Sequence, residues 1–219
     1  QRGGALQRAR LLDDLNARTV RDPLTEVANH RHFMDKLANE LRRAARTTAP
    51  VALLYLDVDG FKAFNDRFGH PVGDALLRTL AHIMRDAVRA TDEVGRLGGD
   101  EFAIFLPNTD LSGGAILAEK LRTRIADTRF IGSGDTPAAH ATVSVGVASY
   151  PADGASPEDL VHAADDALYV AKARGRNMVV MSTESTAADD STSTTSAPET
   201  TETTAPAMTV VPPAATKVV

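Results

Sequence analysis

Apolar and polar positions alternate with two periods along this chain, and the changes of period mark its elements. Residues 30–48 carry apolar side chains at helical spacing. Val51 to Val58 (VALLYLDV) is a short continuous apolar run, which predicts a central strand buried on both faces. Residues 61–67 and 72–89 predict helices, and two strand signals follow, Asp92–Leu97 and Phe102–Leu106. Ser112 to Thr128 predicts a helix. Ala141 to Ala148, with Val143, Val145 and Val147 in alternation, predicts a strand. Pro157 opens a helix that runs to about Ala173 and ends at Gly175; Asn177 to Met181 is the last strand. Helices mixed with strands around a central hairpin predict an α/β fold, an α+β sandwich with helices flanking one sheet.

The ends of the chain follow neither period in a way that builds a core. Residues 1–21 set Leu6, Leu11, Leu12, Leu15 and Val20 among Arg, Asp and Gln. That pattern predicts an amphipathic linker helix, either the end of a coiled coil or a helix packed on its own domain. Residues 182–219 hold 16 Ser or Thr among 38 positions, and too few large apolar side chains to fold. A single domain is therefore expected over 22–181, followed by a disordered acidic tail.

Charge and composition narrow the function. The net charge is −5, of which −4 lies in the tail, so the domain is almost neutral and presents no basic face for nucleic acid. There is no cysteine, which excludes disulfides, cysteine zinc sites and thiol catalysis, and fits a cytoplasmic domain. The chain begins at Gln1 rather than Met, as a fragment of a longer protein would, and the sequence leaves open whether that protein is membrane-associated.

The candidate chemistry lies where the strand signals end. Gly98-Gly99-Asp100-Glu101 separates two strands, which predicts a tight hairpin with glycine at positive φ and two carboxylates at its tip. Such a turn calls for a cation. Asp57 closes the first strand before the turn Asp59-Gly60-Phe61-Lys62, the place where ligands bind in α/β sheets. The helix start after it offers free N–H groups to phosphate. Asn65 and Asp74 bracket a glycine-punctuated turn; they either cap helices or accept and donate to a guanine edge. Lys172 and Arg176 near a helix C-terminus are explained as well by the macrodipole as by a ligand.

Taken together, Asp22-Pro-Leu-Thr25 with Asn29, the stretch from Asp57 to Asp74, the hairpin, Thr142 to Gly146, and Ala167-Leu-Tyr169 to Asn177 resemble the GGDEF domain of diguanylate cyclases. The resemblance implies a βαββαβ core with a mainly antiparallel sheet, like the palm of nucleotide cyclases and polymerases. It implies two GTP condensed to cyclic di-GMP with release of two pyrophosphates, in a head-to-tail homodimer. Asp57, Asp100 and the Val58 carbonyl would ligate Mg²⁺, or Mn²⁺ in its place, and Asp100 or Glu101 would handle the proton. Gly60, Phe61 and Lys62 would cradle phosphates with Lys172 and Arg176, while Asn65 and Asp74 read guanine.

The same resemblance assigns Arg89-Ala-Thr-Asp92, with Lys120, to a site where the product inhibits. It also implies an upstream sensor domain. Two positions depart from the family: Glu26 stands where Gly is usual and His30 where Arg is usual. A catalytically silent module that binds GTP or cyclic di-GMP to regulate a partner is the alternative. The retained Asp57, Lys62, Asn65, Asp74, Asp100 and Glu101 favour the enzyme.

Overall fold

The computed structural model describes residues 20–130 and 139–184. The amphipathic segment before Val20 and the tail from 185 onward lie outside the described residues. The elements are β1 (Ala28–Asn29), α1 (His30–Thr47), β2 (Val51–Val58), α2 (Phe61–Phe68), α3 (His70–Ala87), β3 (Glu93–Arg96), β4 (Glu101–Pro107), α4 (Leu111–Asp127), β5 (Val143–Tyr150), α5 (Pro157–Ala173) and β6 (Val179–Met181). They form one mixed sheet in the order β1-β3-β4-β2-β5-β6. The inner pairs are antiparallel and the two edge pairs, β1–β3 and β5–β6, are parallel. The expected α/β architecture with a mainly antiparallel centre is the one observed.

β2 is central, and its apolar run is buried on both faces. Side chains alternate across a strand. Ala52, Leu54, Leu56 and Val58 therefore meet Leu76, Leu77, Leu80 and Met84 of α3 and Leu121 of α4. Val51, Leu53 and Tyr55 meet Phe33, Leu37 and Leu41 of α1 and Leu160 and Leu168 of α5. The α1–α5 layer sits on one face and the α3–α4 layer on the other. Asp57, two residues after Tyr55, falls on the α5 side by the same alternation.

The helix ends follow local chemistry. Asn29 caps α1, its side chain accepting from the His32 N–H at 2.9 Å. Ser156 and Asp159 form a reciprocal capping box around Pro157 at the start of α5. At one point α5 touches the sheet through bare backbone. A Cβ on Gly146 would stand 1.9 Å from the Ala164 carbonyl oxygen and 2.4 Å from the Leu168 nitrogen.

Several expectations shift. β1 is a two-residue strand that leaves no alternation to detect. β5 runs from Val143 to Tyr150, two residues later than the apolar pattern suggested. Packing also continues past 181: Ser182 is buried, and Arg174 pairs with Glu184 at 3.5 Å.

Glu26, the residue that departs from glycine, has φ 59. An L-residue held there costs about 1–2 kcal/mol, and glycine escapes that cost while losing some backbone entropy on folding. The Glu26 N–H donates to the Asp22 carbonyl at 2.9 Å and its own carbonyl accepts from Arg21, bonds that glycine keeps. Glu26→Gly is expected to stabilise the domain by about 0.5–1 kcal/mol. A urea midpoint that stays level or falls would show that the turn holds Glu26 without strain.

Candidate active site

The register of the sheet assembles the carboxylates. Asp57 pairs directly opposite Glu101 of β4 on one side and Ser144 of β5 on the other. Residues directly opposite in a ladder share a face, so Asp57 and Glu101 project together. Asp100 lies one residue before β4, and its carbonyl accepts from the Val58 N–H at 3.3 Å. Glu101 is thus the first residue of β4 rather than part of the hairpin tip.

The glycines of that hairpin serve a purpose other than the expected one. Positive φ among the described glycines occurs at Gly60, Gly69, Gly154 and Gly175, and not at Gly98 or Gly99. Gly98 is small for the sake of space: a Cβ there would lie 2.2 Å from Glu101 Oε2. The turn closes on itself instead, with the Leu97 N–H donating to the Glu101 carbonyl at 2.9 Å. Arg96 braces it from outside. Its guanidinium donates to the Gly99 carbonyl at 2.6 Å and to Asp22 Oδ1 at 3.1 Å. Burial opposes ionisation of Asp22, but bonds from Thr25 and the charge of Arg96 outweigh it and hold this carboxyl below its usual range.

Charge is crowded around Asp57. Burial pushes its carboxyl up, the neighbouring Asp100 and Glu101 add to the rise, and Lys172 opposes it. Lys172 Nζ sits 2.9 Å from Asp57 Oδ2, with that carboxylate only 13% exposed. Lys172, which the resemblance assigns to phosphate, contacts the Asp57 carboxylate from the α5 layer. Tyr55 completes the cluster, donating from its hydroxyl to Glu101 Oε2 at 3.4 Å. Burial, then the charges of Glu101 and Asp165, push the Tyr55 phenol up, so it remains a donor. Its apolar context hid this role. The available sequence signal was its place two residues before Asp57, on the same face of β2.

The phosphate-cradle candidates follow. Gly60 has φ 68 and caps α2 with no side-chain bond, so the first N–H groups at Phe61 and Lys62 have no local acceptor side chain. Lys62 and Arg176 are both exposed. The backbone of Arg176 lies beside the β2 end, because the next residue, Asn177, donates its N–H to Asp59 Oδ2 at 3.0 Å.

Asn65 and Asp74 are brought together by Gly73. A Cβ there would stand 1.8 Å from Asn65 Oδ1, so the Asn65 amide lies against the first turn of α3, beside Asp74. That Oδ1 is buried and accepts no hydrogen bond from the described residues. A buried acceptor without a donor is costly, and a ligand N–H would satisfy it.

A hard divalent cation fits the donor set. Two carboxylates, Asp57 and Asp100, and the Val58 carbonyl offer oxygen alone, with their excess negative charge only partly met by Lys172. Among the described residues, no three His, Cys, Asp or Glu side chains gather closely enough to hold a metal unaided. Mg²⁺ suits such a partial shell, since it takes one or two carboxylates and completes its shell with substrate phosphates and water.

A second groove, of about 300 Å³, lies on the α3–α4 side and is lined by Arg89, Asp92, Lys120, Leu106, Ile116 and others. Asp92 also has a structural use: its Oδ2 accepts from the Arg89 backbone N–H at 2.8 Å. The three residues expected from sequence thus share one surface depression. No helix among the described residues is long and apolar enough to cross a membrane.

Known proteins resemble this one through the whole described domain. The family model for the diguanylate cyclase GGDEF domain matches residues 19–178. The response regulator PleD of Caulobacter vibrioides is 38% identical over 161 residues, 74% of this chain and 36% of that protein. The diguanylate cyclase DosC of Escherichia coli is 38% identical over 158 residues, 72% of this chain and 34% of that protein. The chain therefore spans about a third of these relatives. The GGDEF domain of DgcB from Caulobacter crescentus, in complex with c-di-GMP, superposes with a TM-score of 0.71 at 31% identity, covering 74% of this chain and 93% of that one. The diguanylate cyclase SiaD of Pseudomonas aeruginosa, in complex with its activator SiaC, gives 0.70 at 34% identity, covering 81% of this chain and 68% of that one.

Proposed function

This chain belongs to the GGDEF diguanylate cyclase domain family, and from that membership we propose that it condenses two GTP into cyclic di-GMP, releasing two pyrophosphates. The observation that carries this reading is the carboxylate cluster at the end of β2. Asp57 and Glu101 face each other in the sheet, Asp100 adjoins them, and Lys172 balances part of their charge. The unpartnered Asn65 oxygen beside Asp74 supports the choice of guanine.

Each domain holds one GTP. Asn65 Oδ1 accepts from a guanine N–H, and the Asp74 carboxylate accepts from N1–H and the exocyclic amine, a pattern adenine lacks. The backbone at Gly60, Phe61 and Lys62 cradles the phosphates, with the Lys62, Lys172 and Arg176 cations around them. Asp57, Asp100 and the Val58 carbonyl hold Mg²⁺ or Mn²⁺. When bound, this ion neutralises the triphosphate and the departing pyrophosphate.

Two domains meet head to tail, so that the ribose 3′-hydroxyl of one GTP reaches the α-phosphorus of the other. The new bond runs from the 3′-oxygen to that phosphorus, and the bond to the pyrophosphate oxygen breaks. Glu101 takes the 3′-hydroxyl proton, its carboxylate held by the donating Tyr55 hydroxyl. Asp100 sits with the metal. Placement and charge supply the greater part of the acceleration. Cyclic di-GMP binds back at Arg89, Asp92 and Lys120 and inhibits.

The test is direct. Purified protein with GTP and Mg²⁺ should yield cyclic di-GMP, with activity per molecule rising with protein concentration. Added product should slow the wild type and have less effect on Arg89→Ala. No cyclic di-GMP from a preparation shown to dimerise would leave nucleotide binding as the function. Equal inhibition of both proteins would remove the feedback site.

A further inference from the structure

Asp59 is the one carboxylate at the end of β2 to which the proposed reaction gives no task, and it is the most fully engaged of them. Its Oδ1 accepts from the Ser144 hydroxyl at 2.7 Å. Its Oδ2 accepts from the Thr142 hydroxyl at 2.7 Å and from the Asn177 N–H at 3.0 Å. Its own N–H donates to the Thr142 carbonyl at 2.9 Å. With both oxygens occupied by protein donors, Asp59 is poorly placed to serve as a metal ligand.

The segment it grips is under strain. Gly175, Arg176 and Asn177 take φ 122, 66 and 48, so two consecutive non-glycine residues lie in the left-handed region. Such conformations persist where surrounding bonds over-determine them. Here Asp59 fixes the Asn177 N–H, and Arg122 Nη1 of α4 donates to Asn177 Oδ1 at 2.9 Å. Arg122 is in turn held by Glu119 through a fork of bonds between 2.5 and 3.0 Å.

We propose that Asp59 is a positioning residue for phosphate binding: a clasp that holds the strained 175–177 turn against the end of β2 and so keeps Arg176 at the phosphates. This rests on the reading of Arg176 as a phosphate ligand. Without the clasp the turn relaxes towards ordinary φ, and Arg176 leaves with it. The hydroxyls of Thr142 and Ser144 then serve to hold the Asp59 carboxylate in place.

The experiment is a double-mutant cycle on GTP turnover with Mg²⁺, using wild type, Arg176→Ala, Asp59→Ala and the double variant. Each single change is expected to raise KM for GTP about tenfold, the worth of one charge-assisted bond, with a smaller effect on kcat. The double variant should be no worse than the poorer single one.

Effects that multiply in the double variant would overturn the clasp. An unchanged KM in Arg176→Ala would instead overturn the assignment of Arg176 to phosphate, and so separates the two failures. If thermal unfolding shows Asp59→Ala to be unfolded, Asp59→Asn is carried through the same cycle under the same criteria.

Discussion

Glu101→Gln is expected to lower cyclic di-GMP synthesis by about 10²–10⁴-fold, the range seen when one general base is removed. The change is nearly isosteric and keeps an oxygen that can accept from Tyr55, so the hairpin should hold its shape. What disappears is the ability to take a proton, together with one negative charge beside Asp57. Losing that charge should ease ionisation of Asp57, because Glu101 is among the groups that raise it. Binding of GTP and Mg²⁺ should therefore persist while turnover falls. The measurement is kcat by product chromatography, alongside GTP affinity by calorimetry and the thermal midpoint. Near-normal kcat would move the proton to Asp100.

The second large effect concerns stability. Gly146→Ala places a methyl group 1.9 Å from the Ala164 carbonyl oxygen, well inside any tolerable contact. The obstacle is backbone of α5, so no side chain can swing aside to relieve it. Overpacking costs about 1–3 kcal/mol where neighbours can shift. Here the helix itself must move off the sheet, and a loss of about 3 kcal/mol or more is expected, a large share of a domain's usual stability. Denaturant unfolding reads it directly. Activity should fall as well, since displacing α5 moves Lys172 away from Asp57. A loss below about 1 kcal/mol would show that α5 can ride higher on β5 at little cost.

The elements with strong patterns were legible from residues alone. α5 begins at Pro157 and ends at Ala173 as expected, because the proline and the following glycine mark its ends. β2 was legible because a run buried on both faces has no competing period. β1 was not, because two residues carry no alternation and depend on pairing with β3. The hairpin was placed correctly on a mistaken warrant: its glycine is a matter of room for Glu101 rather than backbone angle.

Within the site, Asp57, Asp100, Glu101 and Lys172 come together at the end of β2, while their supports were hidden. Tyr55 looked like core and is indeed only 8% exposed; its hydroxyl matters through a diagonal neighbour on β4 that the sequence does not align with it. Asp59 looked like turn chemistry, and its partners lie far along the chain at Thr142, Ser144 and Asn177. Lys172 could be assigned to phosphate or to a helix end; contact with Asp57 required knowing which face of β2 meets α5. Register, more than composition, was the missing information.

That dependence on register bears on how the protein can evolve. On β2 and the residue just past its end, side chains at 54, 56 and 58 fill one half of the core, and those at 55, 57 and 59 supply the polar ends of the site. Inserting or deleting one residue upstream of Tyr55 within the strand would turn every later side chain over. Leucines would face the carboxylates of β4, and two aspartates would enter the layer beneath α3. A change of β2 length by one residue is therefore expected to cost both core and site at once, whereas a change of loop length would spare them.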